Sequence, residues 1–208
     1  MTAILLGILL GLRHATDADH VVAVTAIVAR ERSLARAARI GVLWGIGHTL
    51  TLLGVGGTIV AFRLVIPPRI GLGLEFGVAM MLILIGFTNL RGTADGGSSG
   101  ATRPFLVGLV HGLAGSAAVA LLVLATIRET LPALTYLVVF GLGTIIGMVV
   151  VTTLLAAPAV YAGRRVARLH GRIRLAAGVL SIAFGVLLAH ELVVRGGLFS
   201  ATPTWEPR

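Results

Sequence analysis

Cysteine and lysine are both missing from this chain of 208 residues, and charge of either sign is scarce, at 12%. Without cysteine there are no disulfides and no thiolate metal sites, and the redox compartment is unreadable. The charged share is about half that of an ordinary soluble domain. Hydrophobic residues make up 57% of the chain. Apolar stretches of about twenty residues recur along the whole length, the mark of a polytopic membrane protein. No segment between them is long enough for a soluble domain, so one transmembrane domain over residues 1–208 is expected. The first apolar run starts at residue 3 with no basic region before it, which does not fit a cleaved signal peptide. No His-Glu-x-x-His occurs, so an intramembrane zinc protease of that type has no support. No phosphate-binding Gly-rich loop occurs either, so the chain has no ATPase of its own. It is not expected to be an enzyme or to hold a cofactor.

With lysine absent, the net charge of +9 comes from arginine alone. The arginines lie in short loops between apolar runs rather than on one soluble face, so no nucleic-acid partner is expected. They read as topology. Six spans are predicted, at about 3–29, 40–62, 70–90, 104–127, 132–161 and 174–194, with a polar Gly/Ser-rich loop over 91–103. Arg30, Arg32, Arg36, Arg39, Arg91, Arg103, Arg164, Arg165, Arg168, Arg172 and Arg174 fall on one side. Arg63, Arg69, Arg128, Arg195 and Arg208 fall on the other. The positive-inside rule puts the larger group in the cytoplasm and both termini outside.

The halves resemble each other. Leu9, Gly11, Leu12, His14, Val22 and Ala23 lie over Leu106, Gly108, Leu109, His111, Val119 and Ala120, and Gly45-Ile46-Gly47 lies over Gly141-Leu142-Gly143. Three spans per half make the second half inverted. The expected fold is therefore all-α, six transmembrane helices as two inverted three-helix repeats, one over about 3–90 and one over about 104–195. Glycine is abundant, and the pairs Gly7/Gly11, Gly41/Gly45, Gly73/Gly77, Gly108/Gly112 and Gly143/Gly147 have the spacing that lets helices approach closely.

The densest polar stretch is Arg13-His14-Ala15-Thr16-Asp17-Ala18-Asp19-His20, inside the first apolar run. One Asp or Arg at the centre of a spanning helix costs roughly 2.5–3.5 kcal/mol, so such a cluster needs partners, water or an ion. The span is also too long. Its helix would reach about 40 Å across a hydrocarbon core of about 30 Å, so it tilts, enters the headgroups or breaks at the motif. On a regular helix Asp17 and His20 fall at about 300° and 240° from His14, within one face of about 120°, while Asp19 falls at about 140° and meets another helix. Arg13 shares the first face. Two imidazoles and a carboxylate suit a divalent first-row metal. The competing reading is a salt-bridge cluster of Arg13, Asp17 and Asp19 that only holds helices together. His48, in Gly47-His48-Thr49, and His111 fall at similar depths and join His14, Asp17, Asp19 and His20 as candidate metal ligands. Arg13, Thr49 and Ser116 are candidate supports. Glu75 and His190 are expected at interfaces, and Asn89 as a helix cap.

Arg13 to His20 resembles the hallmark of the nickel/cobalt transporter family, Arg-His-Ala-x-Asp-Ala-Asp-His, in full. Gly47-His48-Thr49-Leu50-Thr51 is similar to a second family motif. Val110 to Ala117 is similar to the short branch typified by urease accessory protein H. The chain departs from larger members, which have eight spans and later acidic motifs. The resemblance implies nickel or cobalt as transported substrate. Three functions stay open: a secondary importer of nickel or cobalt; an exporter of metal or of a small sulfur oxyanion, for which Arg13 is suited; and a non-transporting accessory protein that delivers nickel to a maturation complex. The expected partners are a divalent metal ion and the lipid bilayer, with a homo-oligomer or nickel-enzyme maturation proteins as further candidates.

Overall fold

The computed structural model describes residues 2–29, 31–64, 66–91, 101–113, 127, 129–163 and 167–205. Among these, regular structure is helical throughout. Seven helices follow in order: α1 (Thr2–His14), α2 (Ala18–Val28), α3 (Leu34–Phe62), α4 (Pro68–Arg91), α5 (Thr102–Leu113), α6 (Thr130–Gly163) and α7 (Ala167–Val194). Four segments are long and apolar enough to cross a membrane: Leu34–Phe62, Pro68–Arg91, Thr130–Tyr161 and Gly171–Val194. Ile4–His14 and Ala18–Val28 are shorter apolar helices. Leu5, Leu84, Leu154 and Leu187 stand exposed on the outside of the bundle. An apolar exterior on a helical bundle suits lipid, where every backbone group must be satisfied within its own segment. Four candidate spans in one all-helical chain support a membrane protein.

The first apolar run is broken, which settles its excess length. α1 stops at His14 and α2 starts at Ala18. The last turn of α1 tightens: the Thr16 amide donates to the Arg13 carbonyl at 2.8 Å and the Asp17 amide to the His14 carbonyl at 3.0 Å. Asp17 then takes an extended backbone, φ −61° and ψ 148°, and stands at the N-cap of α2. An aspartate at that position and another, Asp19, in the first turn both favour a new helix start. The angular division drawn for an unbroken helix therefore fails. Most of the fourth predicted span beyond Leu113 lies outside the described residues.

The helices pair in a simple pattern. α3 packs on α6 and α5, α1 on α6, and α4 on α7, while α2 sits among α4, α6 and α7. Close approach is made by glycine. A methyl group at Gly11 would strike the Phe140 carbonyl oxygen of α6, and one at Gly108 would strike the Trp44 carbonyl oxygen of α3. Gly47 meets the Phe105 carbonyl, and Gly143 meets that of Ile8. Of the spaced pairs, Gly73 and Gly77 have no neighbour within 4 Å among the described residues. Side-chain hydrogen bonds add cross-ties. Thr51 donates to the Leu109 carbonyl at 3.0 Å, and Ser181 to the Leu82 carbonyl at 2.7 Å. Asn89 is not a simple cap: it is buried, and its amide donates to the Ala26 carbonyl of α2.

Candidate metal centre

The break in the first span turns its ionisable side chains inward. His14, from the last turn of α1, and His20, from the first turn of α2, meet with ring centroids 4.6 Å apart. α3 brings His48 to the same place, 5.0 Å from His14 and 5.2 Å from His20. α5 brings His111 to 4.2 Å from His20. All four imidazoles are buried, with exposures of 5% or less. The four histidines named from sequence thus come together, although they start from four different helices.

Two carboxylates serve them. Asp17 Oδ2 accepts from His14 Nδ1 at 2.7 Å. Asp19 Oδ2 lies 3.0 Å from His111 Nε2, and its Oδ1 lies 3.3 Å from His20 Nδ1 and accepts from the His20 amide at 3.0 Å. Asp19 does reach another helix, as the wheel suggested, but it also stays in the cluster. A carboxylate on the far nitrogen of an imidazole fixes its tautomer and aims the near nitrogen, an arrangement common around protein metal ions. With His14 Nδ1–H held by Asp17, His14 Nε2 is a lone pair. It faces His48 Nε2 at 3.1 Å. Two nitrogens on one first-row ion, each about 2.0–2.1 Å from it, are separated by about 2.9–3.4 Å. The observed spacing falls in that range. His20 Nε2, His48 Nδ1 and His111 Nδ1 are buried without a hydrogen-bond partner among the described residues. Nitrogen and oxygen donors of His14, His20 and His48, and of Asp19, His20 and His111, form two groups, each with its donors within 4.8 Å of one another.

The supporting residues fare differently. Arg13 is exposed, and among the described residues it forms no ion pair; Asp17 pairs with His14 instead. The salt-bridge reading built on Arg13 is therefore not the arrangement found. Thr49 donates to the Gly141 carbonyl at 3.2 Å and ties α3 to α6 rather than touching an imidazole. Ser116 lies outside the described residues. Glu75 is not an open interfacial group: it is buried and accepts from the Trp205 indole at 2.8 Å, with that ring lying over Gly71. His190 is exposed.

Sequence reasoning missed two aromatic walls. Trp44 lies 5.5 Å from His111 and stacks with His20 at 6.3 Å, and Phe140 lies 5.4 Å from His14. The signal was present. Trp44 and Phe140 each immediately precede the Gly-x-Gly that the two halves share.

Apolar helices around four buried histidines and two aspartates mark an all-helical membrane protein with an ionisable cluster in its interior. No model of a known protein family matches the chain, and no solved structure matches it. It is 34% identical over 218 aligned residues to urease accessory protein UreH of Bacillus sp. (strain TB-90), an alignment covering 96% of this chain and 95% of the relative. The chain belongs to that family, the short UreH-like branch of the nickel/cobalt transporter family. It is not an enzyme.

Proposed function

We propose that the chain carries nickel or cobalt across the membrane, binding the ion at His14, His20, His48 and His111 with Asp17 and Asp19 in support. The observation that carries this reading is the His14–His48 contact: two buried imidazole nitrogens 3.1 Å apart, one of them aimed by a carboxylate. Neutral imidazole and carboxylate suit these ions. In the metal-free pair one nitrogen donates to the other. Because His14 Nε2 is the lone pair, His48 Nε2 carries that proton. An ion that takes both nitrogens displaces it, so binding is coupled to proton release. That coupling gives a secondary transporter a use for a proton gradient.

The architecture proposed for transport is six spans in two inverted repeats, with both termini outside and the ion moving inward. Several packing contacts support the repeat in pairs. Gly11 on Phe140 matches Gly108 on Trp44, Gly47 on Phe105 matches Gly143 on Ile8, and Gly45 on Ile145 matches Gly141 on Thr49. Each pair follows from the other by exchanging the halves. The arginine distribution supports the orientation.

The name of the relative, an accessory protein of urease, favours a second reading. In that reading the chain binds nickel in the membrane and passes it to an enzyme's maturation proteins. Radioactive nickel uptake by cells expressing the chain, beside calorimetry on the purified protein, separates the two. Binding with uptake supports the carrier; binding without uptake supports the accessory role; no binding refutes both.

A further inference from the structure

The cluster offers more donors than one ion with three protein ligands requires, and the structure divides them. His14, His20 and His48 form one close triad, and Asp19, His20 and His111 form another. The outer members stand apart. His48 and His111 have ring centroids 6.2 Å apart, whereas His20 is 4.6 Å from His14 and 4.2 Å from His111. His20 belongs to both triads: its Nδ1 lies 3.3 Å from Asp19, and its fully buried Nε2 has no partner among the described residues. Each triad has its own wall, Phe140 beside His14 and Trp44 beside His111. The triads also differ chemically. The first is three neutral imidazoles. The second adds a carboxylate, which compensates a cation better where water is scarce.

We propose that these are two overlapping metal stations, and that nickel passes from His14–His20–His48 to Asp19–His20–His111 by ligand exchange with His20 as the pivot. This inference rests on the reading of the chain as a nickel or cobalt carrier. In the exchange, the metal's bonds to His14 and His48 break as bonds to Asp19 and His111 form. No electron moves. The proton shared by Asp19 and His111 is displaced, and the His14–His48 pair takes one up. The two stations are held by different helices: α1 and α3 carry the outer ligands of the first, while α5 carries His111. A small relative shift of these helices therefore changes which triad closes around the ion.

The test uses the full chain in lipid nanodiscs with nickel(II). X-ray absorption counts imidazole ligands on the bound ion, and radioactive nickel uptake is measured in cells. His111→Gln should bind one nickel through three imidazoles, and His48→Gln should bind one through two imidazoles and a carboxylate. Both should transport at least about tenfold more slowly than the unaltered chain. His20→Gln should lose both ligand sets. If His48→Gln and His111→Gln give the same ligand set, or if His111→Gln transports at the full rate, there is one site and the proposal is overturned. Should a glutamine variant not purify as a single species, Asp19→Asn reports on the second station. Nickel held by three imidazoles with slowed uptake supports two stations, and full uptake refutes them. An unaltered chain that binds no nickel instead strikes the carrier reading itself.

Discussion

Asp17→Asn separates aiming a ligand from being one. The replacement keeps the size of the side chain and removes its charge. In the structure Asp17 Oδ2 holds His14 Nδ1 at 2.7 Å, with the imidazole side chain 4% exposed and the carboxylate 33% exposed. A bond this short to a charged acceptor is among the stronger hydrogen bonds in proteins. Its effect is to leave Nε2 unprotonated and turned to His48. Asparagine offers a weaker acceptor, or an amide N–H that would favour the opposite tautomer. Loss of such an orienting partner costs about 10–100-fold in metal affinity, which is about 1.4–2.7 kcal/mol. Nickel calorimetry at pH 7.5 on the purified protein, with His14→Ala alongside, measures it. Affinity equal to that of the unaltered chain would show that the carboxylate does not set the ring. Loss as complete as that of His14→Ala would make Asp17 a direct ligand and refute the orienting role.

His20→Ala should abolish nickel binding in the same assay, His14→Ala should leave only the ligand set of Asp19, His20 and His111, and His190→Ala, on the exposed end of α7, should leave binding intact. Gly11→Leu and Gly108→Leu should each cost more than the roughly 1–3 kcal/mol of ordinary overpacking, since the struck atoms are backbone carbonyls. Thermal unfolding in detergent checks this, and a normal transition in either variant contradicts the close approach. A C-terminal reporter active only in the cytoplasm should stay silent, and strong activity would reverse the proposed orientation.

Much of the helical plan was readable because lipid enforces it. The described helices overlap the predicted spans, and α3, α4 and α6 extend only a few residues past the predicted limits. The histidines were readable too, since an imidazole inside an apolar run has few reasons to be there. What the sequence did not give was which bonds those groups make. Asp17 stood four residues after Arg13, a good helical pairing, yet it bonds His14 because the chain bends between them. That bend depends on a local competition between continuing α1 and starting α2, which periodicity alone does not report. Thr49, a candidate support beside His48 in sequence, instead gives its hydroxyl to a carbonyl on a helix far along the chain. Glu75 could not be placed correctly without knowing that Trp205 returns to α4.

The unpartnered nitrogens of the cluster bear on how long the protein lasts. His20 Nε2, His48 Nδ1, His111 Nδ1 and Trp44 Nε1 are all buried and unpaired among the described residues. A buried polar group left so costs about 1–3 kcal/mol. On the proposed reading, an ion bound through His20 Nε2 acts as a ligand for the folded state, contributing about 2.7 kcal/mol when present at a hundred times its Kd. Differences of this size alter abundance several-fold in cells, where unfolded chains are continually removed. A metal-starved cell should then hold less of this protein at constant synthesis, and resupplied metal should lengthen its half-life before any new copy is made. On the proposed reading, the supply of the ion becomes a clock on the protein that binds it.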